Sequence, residues 1–351
     1  MSFQVTVEPL GEVLEVEEGQ SILDAALRAG MALPYACNHG LCGTCKVDLL
    51  EGEVDHGEAS AFALMDVERD EGKCLACCAR PRSDLVIEAD VEEEPDAQRH
   101  PIGDYTARVV EIGALTPTVK RVRLEPDRPL LFQAGQYINL KVPGEEIPRA
   151  FSLANDPRDP LLELQVRIVP GGKGTAWIHE RLQPGDSVAL SGPLGRFFVR
   201  GSIPGQRLFL AGGSGLSSPK SMVLDLLATE DGEAIELIHG VRTPDELYDD
   251  TLFRGLADAH PRFTYTPAVS EAAGGQWSGE LGMVHEVAER RFDGRFAELV
   301  AYLCGPPPMI DACLTTLMRG RLFEERIFSE SFYTAADADR PPKRSALFKK
   351  F

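Results

Sequence analysis

The 351-residue chain is too long for one hydrophobic core, which rarely serves more than about 250–300 residues, so we expect two or three domains. Its net charge of −19 disfavours nucleic acid as a partner, because phosphate binding needs a basic surface. No apolar run approaches the ~18 residues of a membrane span, and the first residues lack the basic and apolar regions of a secretion signal. With eight cysteines and no need of disulfides at this length, we expect the reducing cytoplasm.

The negative charge is concentrated at the start of the chain. Residues 1–100 hold 22 Asp and Glu against 7 Lys and Arg, a net of −15, and the remaining residues carry only −4. A solvated acidic surface would explain this excess. On an electron carrier it would also steer the protein to a basic surface of a partner.

The first 93 residues predict a small mixed α+β domain. Residues 3–8 and 12–17 alternate as a hairpin does, and 46–50 and 85–89 indicate further strands. Between them, residues 21–30 predict a short helix, with Ser21 as the N-cap, Asp24 at the third helical position and Gly30 as the stop signal.

A cysteine loop directly follows that helix. Cys37, Cys42 and Cys45 have the C-x4-C-x2-C spacing of a plant-type [2Fe–2S] cluster, which takes its fourth ligand from a distant cysteine. The candidates for that ligand are Cys74, Cys77 and Cys78, with Cys77 preferred. A zinc site or buried free thiols are the alternatives, although zinc sites favour paired C-x2-C loops. The element order together with this loop is that of a β-grasp ferredoxin.

A charged segment with two prolines, residues 91–101, has the composition of a linker. Beyond it, six short strand-like runs between residues 103 and 202 predict an antiparallel β-barrel. These runs are 106–112, 118–124, 136–142, 149–153, 162–168 and 187–190.

Strands and helices alternate from residue 206 to residue 334, which predicts a doubly wound parallel sheet. The predicted strands are 208–211, 235–241, 263–267 and 299–304, and the helices are 219–228, 252–259, 283–291 and 308–318. Residues 335–351 form a basic C-terminal tail.

One barrel strand has the residue types that a flavin needs: Arg149 for phosphate, Phe151 as a flat apolar surface and Ser152 as a hydrogen-bond donor. Alternation places Arg149, Phe151 and Leu153 on one side of this strand. The glycine loop 171–175 then enters a short helix, whose N–H groups could bind a diphosphate. An ordinary barrel strand is the alternative.

Two segments of the last domain suit a dinucleotide. Gly213, Gly215 and Ser218 form a degenerate G-x-G-x-x-small turn after a buried strand. Acidic Asp245 and Glu246 follow the second strand, which favours NADH over NADPH because they would repel a 2′-phosphate.

A second group of candidate residues lies near the end of the chain. Cys304 and Gly305 end a strand, and prolines 306–308 predict a rigid wall in place of a normal helix start. Farther on, Glu330 and Phe332 place a carboxylate and an aromatic ring two residues apart. A buried structural cysteine and a packed strand end are the plainer interpretations.

Several stretches, among them RAFSLAN at 149–155, AGGSGLSSPKSM at 211–222 and CGPPPMIDA at 304–312, resemble the reductase components of multicomponent phenol hydroxylases, within the ferredoxin–NADP reductase superfamily. The resemblance covers the whole chain in the order ferredoxin, FAD, NAD. It implies three sets of residues: cluster ligands Cys37, Cys42, Cys45 and Cys77; flavin contacts Arg149, Phe151, Ser152, Leu153, Gly174 and Thr175; and nicotinamide-side residues Gly213, Gly215, Cys304, Gly305, Glu330 and Phe332. Ser152, Cys304, Glu330 and Phe332 would be the catalytic group.

Two features depart from that pattern. Phe151 stands where the superfamily usually has a tyrosine, and 19 residues follow Phe332, whose counterpart is usually terminal. We expect an NADH-dependent reductase that passes electrons through FAD and a [2Fe–2S] cluster to a diiron aromatic hydroxylase docked on the acidic domain. A reductase for a Rieske dioxygenase or a deoxysugar-forming enzyme would share these motifs. A zinc-stapled, nucleotide-sensing interaction module is the non-enzymatic alternative.

Overall fold

A computed structural model describes residues 2–31, 33–90, 95–98, 100–229, 232–272 and 277–332. The chain forms two compact units, which divide between Gly103 and Asp104. The predicted basic tail, residues 335–351, lies outside the described residues. None of the described helices is both long enough and apolar enough to cross a membrane.

The first unit is a mixed sheet with two short helices in the part that is described. Its elements are β1 (Ser2–Glu8), β2 (Glu12–Glu17), α1 (Ile22–Arg28), β3 (Lys46–Glu51), β4 (Val54–Asp55), α2 (Asp66–Asp70), β5 (Lys73–Leu75), β6 (Arg80–Pro81) and β7 (Leu85–Glu88). Five strands pair in the order β2-β1-β7-β3-β5, and β4 pairs with β6. Strands β1 and β7 are parallel, and the other pairs are antiparallel.

Helix α1 begins as the sequence predicted. The Ser21 side chain accepts a hydrogen bond from the Asp24 amide at 3.2 Å, and Ile22, Leu23 and Ala26 are buried in the core of the unit. Gly30 follows the helix with φ of +79°. Helix α2 was not predicted, because none of its residues is buried and it therefore shows no apolar periodicity.

The second unit begins with an antiparallel barrel. Its elements are β8 (Gly103–Ala114), β9 (Val119–Pro126), β10 (Tyr137–Leu140), β11 (Arg149–Ser152), β12 (Leu162–Arg167), α3 (Lys173–Glu180) and β13 (Ser187–Leu194). The strands pair in the order β11-β10-β13-β8-β9-β12. A bridge between Leu153 and Leu164 joins the two edges, so the barrel is nearly closed, as predicted.

The same unit continues into a six-stranded parallel sheet. Its elements are β14 (Gln206–Gly212), α4 (Ser217–Leu227), β15 (Ile235–Val241), α5 (Asp250–Ala259), β16 (Phe263–Val269), β17 (Glu280–Leu281), α6 (Val284–Arg291), β18 (Leu299–Gly305), α7 (Pro307–Arg319) and β19 (Ile327–Ser331). The strand order is β17-β16-β15-β14-β18-β19. The order reverses between β14 and β18, and sheets of this kind bind ligands beyond the carboxyl ends of the strands at such a point.

The prediction of a proline wall after Cys304 was wrong. Pro306 is the N-cap of α7, and Pro307 and Pro308 are its first two residues. A proline lacks the N–H group, but the first N–H groups of a helix have no partner within the helix in any case. The three prolines therefore start an ordinary helix.

Candidate cofactor sites

The four predicted cluster ligands form two sulfur pairs in the first unit. Cys45 Sγ and Cys77 Sγ are 3.1 Å apart, and the side chains of Cys37 and Cys42 are hydrogen-bonded to each other. A binuclear cluster held by four cysteines uses two thiolates for each iron. The pairing therefore fits a [2Fe–2S] cluster.

The loop between Cys37 and Cys45 is shaped to present N–H groups to sulfur. Its glycines Gly40 and Gly43 have φ of +71° and +73°, a conformation that favours glycine. The amides of His39 and Leu41 both point at Cys37 Sγ from 3.4 Å. Such N–H groups stabilise negative charge on ligating sulfur.

Hydrogen bonding between the thiols prepares one of them for metal binding. The bond with Cys37 lowers the pKa of the Cys42 thiol to about 5 and raises that of Cys37. The thiolate is the form that binds metal. The hydrogen bond from Cys37 therefore favours the thiolate form of Cys42.

A group of opposite charges lies where the barrel meets α3. Glu145 accepts ion pairs from Arg149 at 3.2 Å and from Lys173 at 2.9 Å. A Cβ atom on Gly174 would lie 2.9 Å from Arg149 Cγ, so this glycine lets the arginine pass close to the start of the helix. Two cations that bind a carboxylate beside a helix N-terminus also suit the diphosphate of FAD.

The other predicted flavin residues have local roles in the structure. Thr175 Oγ1 accepts from the Val169 amide and donates to the Gly172 carbonyl, both at 3.1 Å, and so fixes the glycine loop. Phe151 is half-buried and packs on the barrel core, of which Leu153 is a fully buried member. Their contacts with a flavin stay predictions.

The turn that follows β14 approaches the end of β18 so closely that only glycine fits at position 215. A Cβ atom on Gly215 would lie 2.2 Å from the Cys304 carbonyl oxygen, and Gly305 has φ of +156°. The Gly213 carbonyl accepts hydrogen bonds from His239 at 3.2 Å and from Tyr248 at 3.1 Å. This turn precedes α4 and lies at the switch point of the sheet.

The predicted residues Ser152 and Cys304 both contact one carboxylate oxygen of a third predicted residue, Glu330. Glu330 Oε2 accepts from Ser152 Oγ at 3.1 Å and contacts Cys304 Sγ at 3.7 Å. It also accepts from Ser218 Oγ at 2.8 Å. The sequence placed Ser218 only in the nucleotide turn, so its bond to Glu330 was missed.

Burial raises the pKa of the Glu330 carboxyl group to about 7, although its three hydrogen-bond donors favour the ionised form. The group therefore changes charge close to neutral pH.

Phe332 packs against the core of the parallel sheet, and its amide donates to the Gly305 carbonyl at 2.9 Å.

Two further contacts between barrel and sheet were not predicted. Lys220 Nζ is buried and lies 2.8 Å from Glu163 and 2.7 Å from Asp249. Glu246, which the sequence suggested for ribose selection, instead accepts hydrogen bonds from Thr116 and Thr118 of the barrel. A lysine within the apolar helix α4 was a usable signal, since lysine is seldom buried unless it is paired.

Comparison with known proteins identifies the domains in which these candidate sites lie. A 2Fe-2S iron-sulfur cluster binding domain matches residues 5–82, an oxidoreductase FAD-binding domain matches residues 106–199, and an oxidoreductase NAD-binding domain matches residues 209–315. Each match falls within one of the predicted domains, whose boundaries stay predictions.

Similar proteins cover the full chain. The phenol 2-monooxygenase reductase component DmpP of Pseudomonas sp. strain CF600 is 58% identical, and the phenol hydroxylase P5 protein of Acinetobacter pittii strain PHEA-2 is 54% identical. The alignments cover 100% of both chains for the first and 99% of both for the second. The crystal structure of the Amycolatopsis reductase GcoB is 37% identical, with a TM-score of 0.87 over 95% of this chain and 99% of that one.

The fold and its sites define an oxidoreductase with cluster, flavin and nicotinamide domains in one chain. Hydride donors give up two electrons together, whereas a [2Fe–2S] cluster carries one at a time, and a flavin can exchange either number. Electrons from NADH therefore pass through FAD to the [2Fe–2S] cluster. The chain belongs to the family of phenol hydroxylase reductase components.

Proposed function

We propose that this protein supplies electrons from NADH to the oxygenase component of a phenol hydroxylase. The observation that carries the proposal is the full-length similarity to two proteins named as components of phenol-oxidising systems. A reductase for a Rieske dioxygenase shares the same domain order and is the competing function.

Reconstitution tests this function. The purified reductase, NADH and a phenol hydroxylase oxygenase should consume phenol, with NADH oxidised in step. A Rieske dioxygenase in place of that oxygenase should give little turnover. Equal or faster turnover with the dioxygenase would contradict the proposed partner.

Within the site, we propose that Ser152, Cys304 and Glu330 hold the reacting ends of flavin and nicotinamide in place. Their meeting point at the switch point of the sheet supports this role. Arg149 and Lys173 would bind the flavin diphosphate, and the Gly213 turn would bind that of NADH.

We further propose that the oxygenase docks on the first unit, beside the cluster loop. The segment 58–66 contacts that loop, since the Ser60 amide donates to the Gly40 carbonyl at 3.0 Å. Phe62 and Met65 of this segment are 49% and 51% exposed. Glu58 and Asp66 beside them are exposed and pair with no described basic residue. An apolar centre with an acidic rim suits a basic surface on the oxygenase.

Paired substitutions test the docking surface. Glu58→Gln together with Asp66→Asn should slow electron transfer to the oxygenase and weaken its salt dependence, while NADH-driven reduction of ferricyanide stays unchanged. Glu12→Gln together with Glu17→Gln removes the same charge from β2, at the opposite edge of the sheet from β5, and should change neither rate. Equal effects of the two pairs would show that only net charge matters.

A further inference from the structure

Cys77 has a second thiol beside it. Cys78 follows it in the chain, yet the two sulfur atoms are only 3.6 Å apart. Neighbouring side chains of an extended strand point to opposite sides. Here the backbone turns directly after β5, with the Cys78 amide bonded to the Leu75 carbonyl at 2.9 Å, so both thiols lie on one side.

The Cys78 sulfur also touches the cluster loop. A Cβ atom on Gly40 would lie 2.6 Å from Cys78 Sγ, so the absence of a side chain at Gly40 makes room for this sulfur. Gly40 lies between Cys37 and Cys42 in the chain. Cys78 therefore contacts both the cluster loop, at Gly40, and the thiol of Cys77.

Cys74 is also close to Cys77 in the chain, but its surroundings differ from those of Cys78. It lies within β5, opposite Val47 of β3, and is fully buried in the core of the sheet. Its position is explained by packing. Cys78 is only half-buried and, like Cys77, packs at the margin of that core.

We propose that Cys78 is a reserve ligand for the iron that Cys45 and Cys77 bind. The inference rests on the proposed ligand set. If the bond between iron and the Cys77 sulfur opened, the Cys78 thiol would bind the iron in its place and its proton would pass to the Cys77 sulfur. Iron and sulfide keep their oxidation states, so the exchange needs no oxidant or reductant. Cys78 thereby lets the cluster survive the opening of one ligand bond.

Alanine variants of the full chain test the reserve ligand, because alanine cannot bind iron as serine might. Iron and sulfide are measured per bound flavin, which corrects for the yield of the second unit, and the reduced cluster is examined by electron paramagnetic resonance. Cys77→Ala should keep a cluster with shifted g values. Cys78→Ala should keep the spectrum of the parent, and the double variant should lose the cluster.

Two controls identify the sulfur involved. Cys74→Ala added to Cys77→Ala should leave the cluster in place, and Cys37→Ala, which has no spare thiol described beside it, should lose it. Loss of the cluster from Cys77→Ala as complete as from the double variant would overturn the proposal. An unchanged spectrum for Cys77→Ala would instead show that Cys77 is not a ligand.

A second measurement does not depend on whether Cys77→Ala folds. Iron release from the intact protein to a chelator should be faster in Cys78→Ala than in the parent, because an opened bond is no longer recaptured. Cys74→Ala should release iron at the rate of the parent. Equal rates for Cys78→Ala and the parent would contradict the proposal.

Discussion

The Ser152 hydroxyl of the barrel donates a hydrogen bond to the Glu330 carboxylate of the parallel sheet, with 3.1 Å between the two oxygens. The residues are 178 positions apart in the chain. Ser218, at the start of α4, donates to the same oxygen. One carboxylate thus ties the strand that we propose binds the flavin to the turn that we propose binds the nucleotide.

Glu330 should make hydride transfer depend on pH. Its pKa of about 7 leaves the carboxyl group neutral below that pH and negative above it. Hydride transfer places negative charge on the flavin, and a negative neighbour opposes this. Flavin reduction by NADH should therefore be faster below pH 7 than above it, as measured by stopped-flow absorbance.

The variant Glu330→Gln keeps the shape of this side chain and removes the titration. Its rate should stay flat across neutral pH, near the low-pH rate of the parent. A variant that keeps the pH profile of the parent would assign the titration to another group.

Removal of the buried cation Lys220 should destabilise the second unit. Lys220→Met leaves Glu163 and Asp249 as buried carboxylates without their charge partner. Breaking a buried pair in this way costs about 3–5 kcal/mol. Urea unfolding followed by the release of bound flavin measures the loss.

Arg108→Met is the matched control. Arg108 is exposed and pairs with Glu125 on the surface of the barrel, where an ion pair contributes less than about 1 kcal/mol. If the two variants unfold at the same urea concentration, the buried ion pairs do not hold barrel and sheet together.

Arg149 should contribute to the binding of FAD. A hydrogen bond to a charged group is worth about 1.5–3 kcal/mol, so Arg149→Ala should weaken FAD binding roughly 10- to 100-fold. Fluorescence titration of the flavin-depleted protein gives the affinity. The control variant Arg108→Ala removes an exposed charge on β8 and should leave the FAD affinity unchanged. Equal FAD affinities for the parent, Arg149→Ala and Arg108→Ala would show that Arg149 does not bind the flavin.

Gly215 should be required for binding of NADH. In Gly215→Ala the new methyl group meets the Cys304 carbonyl at 2.2 Å and must push the turn after β14 away from the end of β18. Overpacking of this kind costs about 1–3 kcal/mol, and a loss of that size in NADH binding lowers kcat/KM by about 5- to 150-fold. Ferricyanide reduction measures this ratio without any partner protein.

Gly255 is the control for Gly215, because a side chain at this position has room. It lies in α5, and a Cβ atom there would meet nothing within 4 Å. Gly255→Ala should leave kcat/KM unchanged and stabilise the second unit by about 0.5–1 kcal/mol, because alanine loses less backbone entropy in a helix. A similar loss of activity in both variants would show that the close approach at Gly215 is not what matters.

Local patterns in the sequence predicted much of this structure. Ser21 caps α1 because capping depends on residues three positions apart, and the barrel and the parallel sheet follow from apolar periodicity. Helix α2 has no buried face and left no such pattern. Strand β17, only two residues long, was missed for lack of length.

The sequence predicted which residue types the candidate cofactor sites contain, but it did not predict the contacts between those residues. The spacing of Cys37, Cys42 and Cys45 lies within one loop and is visible in the sequence. The bond between Ser218 and Glu330 joins residues 112 positions apart, and only the tertiary fold brings them together. The same holds for Lys220, whose partners come from β12 and from the loop before α5.

An anaerobic NADH titration of the parent and of a flavin-depleted sample tests the electron path most directly. The cluster band in visible absorbance should bleach together with the flavin band in the parent. Without flavin it should stay unbleached, and added FAD should restore the bleaching. Reduction of the cluster by NADH in the sample without flavin, or a cluster that stays oxidised in the parent, would contradict the account.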